Sequence, residues 1–273
     1  MNSKIPCSVG ILTFNSASTL ARALESVKDF EQIIICDGGS TDNTLSIAKK
    51  YGCTIISQSV ESKNADNTIK DFSMVRNQCL DAAKFEWFLY IDSDEAASNE
   101  LVGEVKKIVA VPTTSYIYKV PIRIYIGGHL IKYSSNYPGY QARFFNRASG
   151  ARFEKNVHER IVYNMEKFPA AVLYAPWYVF MTEDEANNYL TQNIAYAKKE
   201  ALRHRGISFI SYIRWIFFGS FMTVLKILVR TLINYVLHGF RDTMPFAVEW
   251  GRVRYAVTVF WLITRDLCSG TTI

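Results

Sequence analysis

Cysteine, glycine and proline are all scarce in this chain, and the long uncharged run that crosses a membrane is missing. Five cysteines, at positions 7, 36, 53, 79 and 268, stand apart with no CxxC pair. That excludes a disulfide scaffold and a thiolate zinc site, and Cys36 and Cys79 fall within apolar patterns, where a free thiol behaves as a small hydrophobe. Fourteen glycines and seven prolines among 273 residues leave no collagenous or low-complexity segment, and 49% apolar against 21% charged residues excludes disorder. The longest uncharged run in the apolar C-terminal part, Trp215 to Leu225, has eleven residues, short of the roughly 18 to 20 that span a bilayer. No GxGxxG follows the first apolar run either. Thr13-Phe14-Asn15-Ser16-Ala17-Ser18 stands there, which weakens a dinucleotide-binding reading.

What is present is unevenly distributed. Residues 201–273 carry nine Lys/Arg and three acids, which accounts for the whole net charge of +6 and leaves 22 side chains of each sign in the first 200. The same tail concentrates Ile, Leu, Val and aromatic residues. Basic and apolar together point to an anionic lipid surface rather than to nucleic acid. Thr223, Lys226, Arg230 and Asn234 recur at spacings of three and four, a narrow polar stripe on an otherwise apolar helix. The expected organisation is therefore a first, α/β domain over 1–200 and a basic apolar helical region over 201–273, lying at the membrane interface, with a helix packed into the protein core and a hairpin through the membrane as the alternatives. The start, MNSKIPCSVGILTFN, reads as a first strand rather than a secretory signal, so a cytoplasmic chain, peripheral on the inner face of the plasma membrane, is expected.

Over the first hundred residues short apolar runs alternate with helical patterns, the signature of βα units and a mostly parallel sheet. Strands are expected at Ser8–Thr13, Gln32–Cys36, Thr54–Ile56 and Trp87–Ile91, the last buried on both faces. Helices are expected at Leu20–Val27, Thr44–Tyr51 with Gly52 as its stop, Asp71–Lys84 and Leu101–Val109. Beyond residue 115, Gly127-Gly128 between two apolar runs predicts a hairpin, Tyr140–Asn146 a strand, and Glu183–Arg205 one long helix.

Open parallel sheets bind ligands beyond the carboxyl ends of their strands. Those positions read Phe14-Asn15, Asp37-Gly38-Gly39-Ser40-Thr41-Asp42 and Asp92-Ser93-Asp94. Two carboxylates at one strand tip suit a hard cation shared with a diphosphate, and Mg²⁺ and Mn²⁺ prefer such oxygen ligands. Asp42, with Ser40 and Thr41, suits the start of the following helix. Tyr133, Tyr137 and Tyr140 form an aromatic cluster on which a sugar could stack.

Four motifs, ILTFNSASTLARALES, DGGSTDNT, the RN of MVRNQCLDAA and the DSD of FLYIDSDE, resemble in order and spacing the glycosyltransferase family 2 enzymes over about residues 5–110. Farther on, HLIKYSSNYPGYQARFFNRASGARFEKNVHERI resembles the subgroup that includes lipopolysaccharide-core enzymes adding glucose to heptose. The resemblance implies a GT-A fold and an inverting glycosyltransferase that moves a sugar from a nucleoside-diphosphate sugar, a UDP-sugar first, to a hydroxyl of a lipid-linked or cell-surface glycan. It implies that Thr13, Phe14, Asn15 and Asp37 border the base and ribose, with Asp37 accepting from the base. Arg76 is implied near the diphosphate or the second strand end, Asp92 and Ser93 at the ribose or sugar, and Asp94 at a Mg²⁺ or Mn²⁺ ion. The family places an acidic pair after the ARFFNR strand, where this chain has His158-Glu159. Glu159 is the expected base, with His158 as its alternative, its orienting partner or a metal ligand. A polyprenyl-phosphate glycosyltransferase, and a silent nucleotide-sugar-binding membrane scaffold, are the rival readings.

Overall fold

The computed structural model describes residues 3–64, 69–113, 115–154, 160–203, 208–214 and 219–268. In chain order the elements are β1 (Ile5–Thr13), α1 (Leu20–Ser26), β2 (Phe30–Asp37), α2 (Thr44–Lys50), β3 (Thr54–Ser57), α3 (Phe72–Asp81), β4 (Trp87–Asp92), β5 (Glu95–Ala97) and α4 (Asn99–Val109). After these come β6 (Ile117–Ile126), β7 (His129–Ile131), β8 (Tyr140–Asn146), β9 (Arg152–Glu154), β10 (Arg160–Val162), β11 (Ala170–Val172) and β12 (Trp177–Met181). The chain then turns helical, with α5 (Glu183–Asn187), α6 (Tyr189–Arg203), α7 (Phe209–Arg214), α8 (Met222–His238) and α9 (Phe246–Cys268).

The strands form one mixed sheet in the order β3-β2-β1-β4-β8-β6-β12-β5, with β7 and β11 joined to β6, and a separate β9-β10 pair. Its first half is parallel, as the βα alternation predicts: Val9 of β1 stands opposite Ile33 on one side and Leu89 on the other. Its second half is mixed: β8 is inserted antiparallel between β4 and β6, whereas β11 joins β6 in parallel. The QIIIC and WFLYI runs read as continuous hydrophobes because both faces of these strands are covered. Ile34, Ile35, Phe88 and Leu89 are all at most 1% exposed. Gly10 lets α3 and β4 close over β1, since a Cβ there would lie 2.6 Å from the Phe88 ring and 3.0 Å from Cys79 Cβ.

Two compact units result. Unit 1 comprises Met1–Arg123 with Pro138–Val179, and unit 2 comprises Ile124–Tyr137 with Phe180–Ile273. The sequence reading divides the chain at residue 200 by composition, whereas these units divide it by packing. Unit 1 holds the parallel half of the sheet and its flanking helices.

Unit 2 begins with the Gly127-Gly128 hairpin, whose two residues sit at φ 55° and 82°, the left-handed pair of a two-residue turn. The helix expected over 183–205 is broken into α5 and α6 at Asn188. A capping box between Thr182 and Glu185 starts α5, and Asn188, at φ −100° and ψ 18°, carries the chain out of the helix after one short segment. Ala197 and Ala201 of α6, Tyr212 of α7 and Val259 and Ile263 of α9 make its helical core. Along α8 Thr231 is buried, while Leu225, Leu228, Val229, Leu232, Ile233, Val236 and Leu237 face outward. By length and composition Ile210–His238 could cross a membrane, and only 7% of its most apolar window is buried.

Candidate active site at the strand tips of unit 1

Three neighbouring parallel strands end at the same edge of unit 1, and each delivers its motif there. At the β2 tip the Asp37 carboxylate accepts from Thr13 Oγ1 and from the backbone N–H of Gly39 and of Ser40, all at 2.8 Å, and from Ser40 Oγ at 2.5 Å. Four donors fill the lone-pair capacity of a carboxylate. Desolvation works against its charge, but these hydrogen bonds outweigh it and hold the Asp37 carboxyl below the ordinary aspartate value. Asp37 thus builds the DGGS turn from within.

Asn15, after β1, adopts φ 49°, a left-handed conformation that Asn tolerates better than most residues. Its Oδ1 accepts from Thr41 N at 2.9 Å and its own N–H donates to Ser40 Oγ at 2.8 Å, so the first and second strand tips are stitched together. Asp42 accepts from Thr44 N and Thr44 Oγ1 at the start of α2, and from Ala17 N. This is the helix-start role its position suggests. Phe14 is half exposed and its ring borders Gly38. Gln58 Nε2 donates to Cys36 O at 3.2 Å, and Lys63 Nζ donates to Gly38 O at 2.6 Å. Neither Gln58 nor Lys63 belongs to a motif read from the sequence.

The β4 tip carries the charges. Arg76 of α3, 4% exposed, makes an ion pair with Asp92. Desolvation raises the Asp92 carboxyl, yet Arg76 and Arg143 more than offset it and leave it below the ordinary value. Asp94 goes the other way: desolvation at the crowded tip and repulsion from Asp92 lift its carboxyl above that value. Arg22 donates to the Asp94 backbone carbonyl at 3.0 Å, and Ser93 Oγ to Ser16 Oγ at 3.0 Å. Thr13, Asn15, Asp37, Arg76, Asp92, Ser93 and Asp94 are thereby gathered at one edge, with Arg76 at the fourth strand rather than the second.

Underneath lies a network that no motif announces. Arg143 of β8 donates to both oxygens of Glu95, at 2.6 and 2.9 Å, and Trp177 Nε1 donates to Glu95 Oε1 at 3.1 Å. Glu95 Oε2 also accepts from Asp92 N at 2.8 Å. Arg76 and Arg143 each hold their guanidinium carbon 4.6 Å from the centroid of the Tyr90 ring, a cation–π distance. The only sequence signals were the acid that completes DSDE and a lone Arg inside a strand of buried hydrophobes. Asn77, partner of Arg76 in the RN motif, exchanges two hydrogen bonds with the backbone of Phe153 in β9.

His158 and Glu159 lie outside the described residues. Of the aromatic cluster, Tyr133 stacks on His238 with centroids 3.6 Å apart, and buried Tyr137 accepts from Ile124 N. Both are committed to packing, because each ring closes the fold of unit 2, while Tyr140 is exposed. Among the described residues no three His, Cys, Asp or Glu side chains gather as a metal site. The chemistry of the tip nevertheless fits a hard cation. Asp94 is a carboxylate with a raised pKa beside a second carboxylate already paired with arginine, and Mg²⁺ or Mn²⁺ is commonly held by one or two carboxylates with substrate phosphates and water completing its shell.

Residues 8–164, more than half of the chain, match the profile of Glycosyl transferase family 2. The chain belongs to that family. The SPbeta prophage-derived glycosyltransferase SunS of Bacillus subtilis is 29% identical over 151 residues, 55% of this chain but 33% of SunS, so the chain spans only a third of that relative. An uncharacterized glycosyltransferase of Rickettsia felis is 26% identical over 252 residues, covering 87% of this chain and 84% of its own length. Among solved structures, the mannosyltransferase PcManGT from Pyrobaculum calidifontis, in complex with GDP-Man and Mn²⁺, superposes with a TM-score of 0.51 at 12% identity, over 98% of this chain and 89% of that one. At that identity the likeness establishes a GT-A-like fold, here followed by a helical C-terminal region.

Proposed function

We propose that this family 2 chain catalyses inverting transfer of a sugar from a nucleoside-diphosphate sugar, a UDP-sugar first, to a hydroxyl of a lipid-linked or cell-surface glycan such as lipopolysaccharide core. It works at the cytoplasmic face of the plasma membrane. The observation that carries the reading is the division of labour at the β4 tip, where the Arg76 ion pair helps to hold the Asp92 carboxyl below its ordinary value, while desolvation and Asp92 raise that of Asp94 in spite of Arg22 and Arg143. The donor's base and ribose lie against Phe14 and the Asn15–Ser40 turn, with Asp37 holding that turn in shape. Asp92 and Ser93 meet the ribose or the sugar.

Asp94, with the substrate's own phosphates, would hold Mg²⁺ or Mn²⁺, which would supply positive charge to offset that of the nucleoside diphosphate leaving group. Glu159, with His158 as its orienting partner or substitute, takes the proton of the acceptor hydroxyl as that oxygen attacks the anomeric carbon from the face opposite the leaving group. The likeness of residues 129–161 to heptose-modifying enzymes supports the acceptor class. The basic apolar tail supports the membrane surface, since lipid-linked acceptors are found there.

The reading is tested by incubating the purified chain with a panel of UDP-, GDP- and TDP-sugars, Mn²⁺ and deep-rough lipopolysaccharide. Transfer from one donor that disappears in Glu159→Gln, with donor binding intact, supports it. Equal turnover in Glu159→Gln onto a polyprenyl phosphate points to a phosphate acceptor instead.

A further inference from the structure

Within unit 2, α8 and α9 enclose a cavity of about 160 Å³ whose lining includes Ile227, Leu228, Thr231, Leu232, Phe246 and Trp250. That is room for on the order of five water-sized groups, or a comparable run of methylenes. Its mouth is open: Leu232, Phe246 and Trp250 are 65%, 60% and 45% exposed. Its wall contains one unanswered polar atom. Thr231 is buried, and its Oγ1 has no hydrogen-bond partner among the described residues, although a helical threonine can donate to its own preceding turn. Glu249, at the other side of the cavity, is satisfied by Ser134 Oγ, Ser135 N, Ser135 Oγ and Arg252. Among the described residues the groove is therefore apolar, with Thr231 as its one hydroxyl lacking a partner.

The surrounding charge says what should fill it. Between Glu200 and Asp242 the sequence has six Lys/Arg and no acid. Lys226, Arg241 and Arg254 are exposed near the ends and edges of the two helices, while the outward face of α8 is a continuous set of Leu, Ile and Val. An apolar face with basic edges matches an anionic bilayer.

We infer that the groove between α8 and α9 takes the ester-proximal stretch, about five methylenes long, of one acyl chain of an anionic phospholipid, with the Thr231 hydroxyl donating to an oxygen of that lipid. The inference rests on the membrane-surface reading above and goes beyond it, because it turns a docking face into a lipid-binding site.

Trp250 at the mouth supplies the test. The full chain is mixed with vesicles of equal phosphatidylcholine and phosphatidylglycerol carrying bromine on the acyl chains, and with pure phosphatidylcholine vesicles. Sedimentation with the anionic vesicles, with bromine quenching of tryptophan emission that is clearly smaller in Trp250→Phe, is the expected result. Thr231→Leu, which fills the groove and removes its hydroxyl, should still sediment but lose that Trp250-dependent share, its unaltered melting temperature excluding misfolding. Sedimentation with identical quenching in the native chain and Trp250→Phe overturns the acyl-chain site while leaving membrane docking standing. Absence of sedimentation overturns both, and a concentration-dependent dimer abolished by Leu232→Glu would assign the face to a second copy of the chain.

Discussion

Arg143 and Glu95 meet through two hydrogen bonds, 2.6 and 2.9 Å, with both side chains about 6% exposed. Glu95 is in turn bonded to the backbone of Asp92, so the pair holds the tip on which the acidic motif sits. Removing one partner leaves a buried charge unmatched, which costs about 3–5 kcal/mol. Glu95→Gln and Arg143→Met should each lower stability by that order in urea unfolding, and the double variant should recover much of the loss. A single-variant loss below about 1 kcal/mol would contradict the role given to this pair.

Asp37 predicts a pH dependence of stability. Its carboxyl lies below the ordinary value in the folded chain, so the folded state binds fewer protons than the unfolded state across that interval. The stabilisation is complete above the unfolded value of about 3.9 and is lost as pH falls through the lower folded value. Asp37→Asn, which puts an NH2 donor in place of one acceptor oxygen and so leaves some of the four donors facing a donor, should cost about 1–3 kcal/mol at neutral pH. It should also remove part of the acid-side slope in unfolding curves. An unchanged slope would show that the four donors do not hold Asp37 ionised.

Asn15 separates backbone from side-chain effects. At φ 49° an alanine pays about 1–2 kcal/mol that glycine does not, and both lose the Oδ1 contact to Thr41 N. Asn15→Gly should therefore be the milder change in a thermal melt. Equal melting temperatures for Asn15→Gly and Asn15→Ala would mean that the left-handed conformation carries no strain.

Glu159→Gln should lower turnover by about 10²–10⁴ if its carboxylate takes the acceptor proton, with the donor dissociation constant unchanged. Asn77→Ala should weaken turnover less, through β9, the strand it clamps immediately before residues 155–159. Full activity in Glu159→Gln together with its loss in His158→Ala would hand the base role to His158.

How far the sequence reached depended on the range of each interaction. The parallel strands were legible because QIIIC and WFLYI are buried on both faces and carry their pattern locally. The Gly127-Gly128 turn was legible because only glycine takes two successive left-handed conformations at no cost. The antiparallel insertion of β8 was not, since strand order is set by packing between distant segments. Nor was the break at Asn188, whose backbone leaves the helix at φ −100° and ψ 18° inside a charge pattern that looks continuous. The residues of the strand tips were readable as motifs, but their states were not: only the fold puts Arg76 on Asp92, four donors on Asp37, and Arg143 on Glu95, 48 residues apart.

The central claim is a metal-assisted nucleoside-diphosphate site anchored by Asp94. Calorimetric titration of UDP, GDP and TDP, with and without Mn²⁺, into the native chain and Asp94→Ala tests it most directly. The account predicts Mn²⁺-dependent binding of one nucleotide, UDP first, lost in Asp94→Ala while the variant keeps its melting temperature. Absence of nucleotide binding by the folded native chain under all of these conditions, or Mn²⁺-dependent binding undiminished in Asp94→Ala, would contradict it.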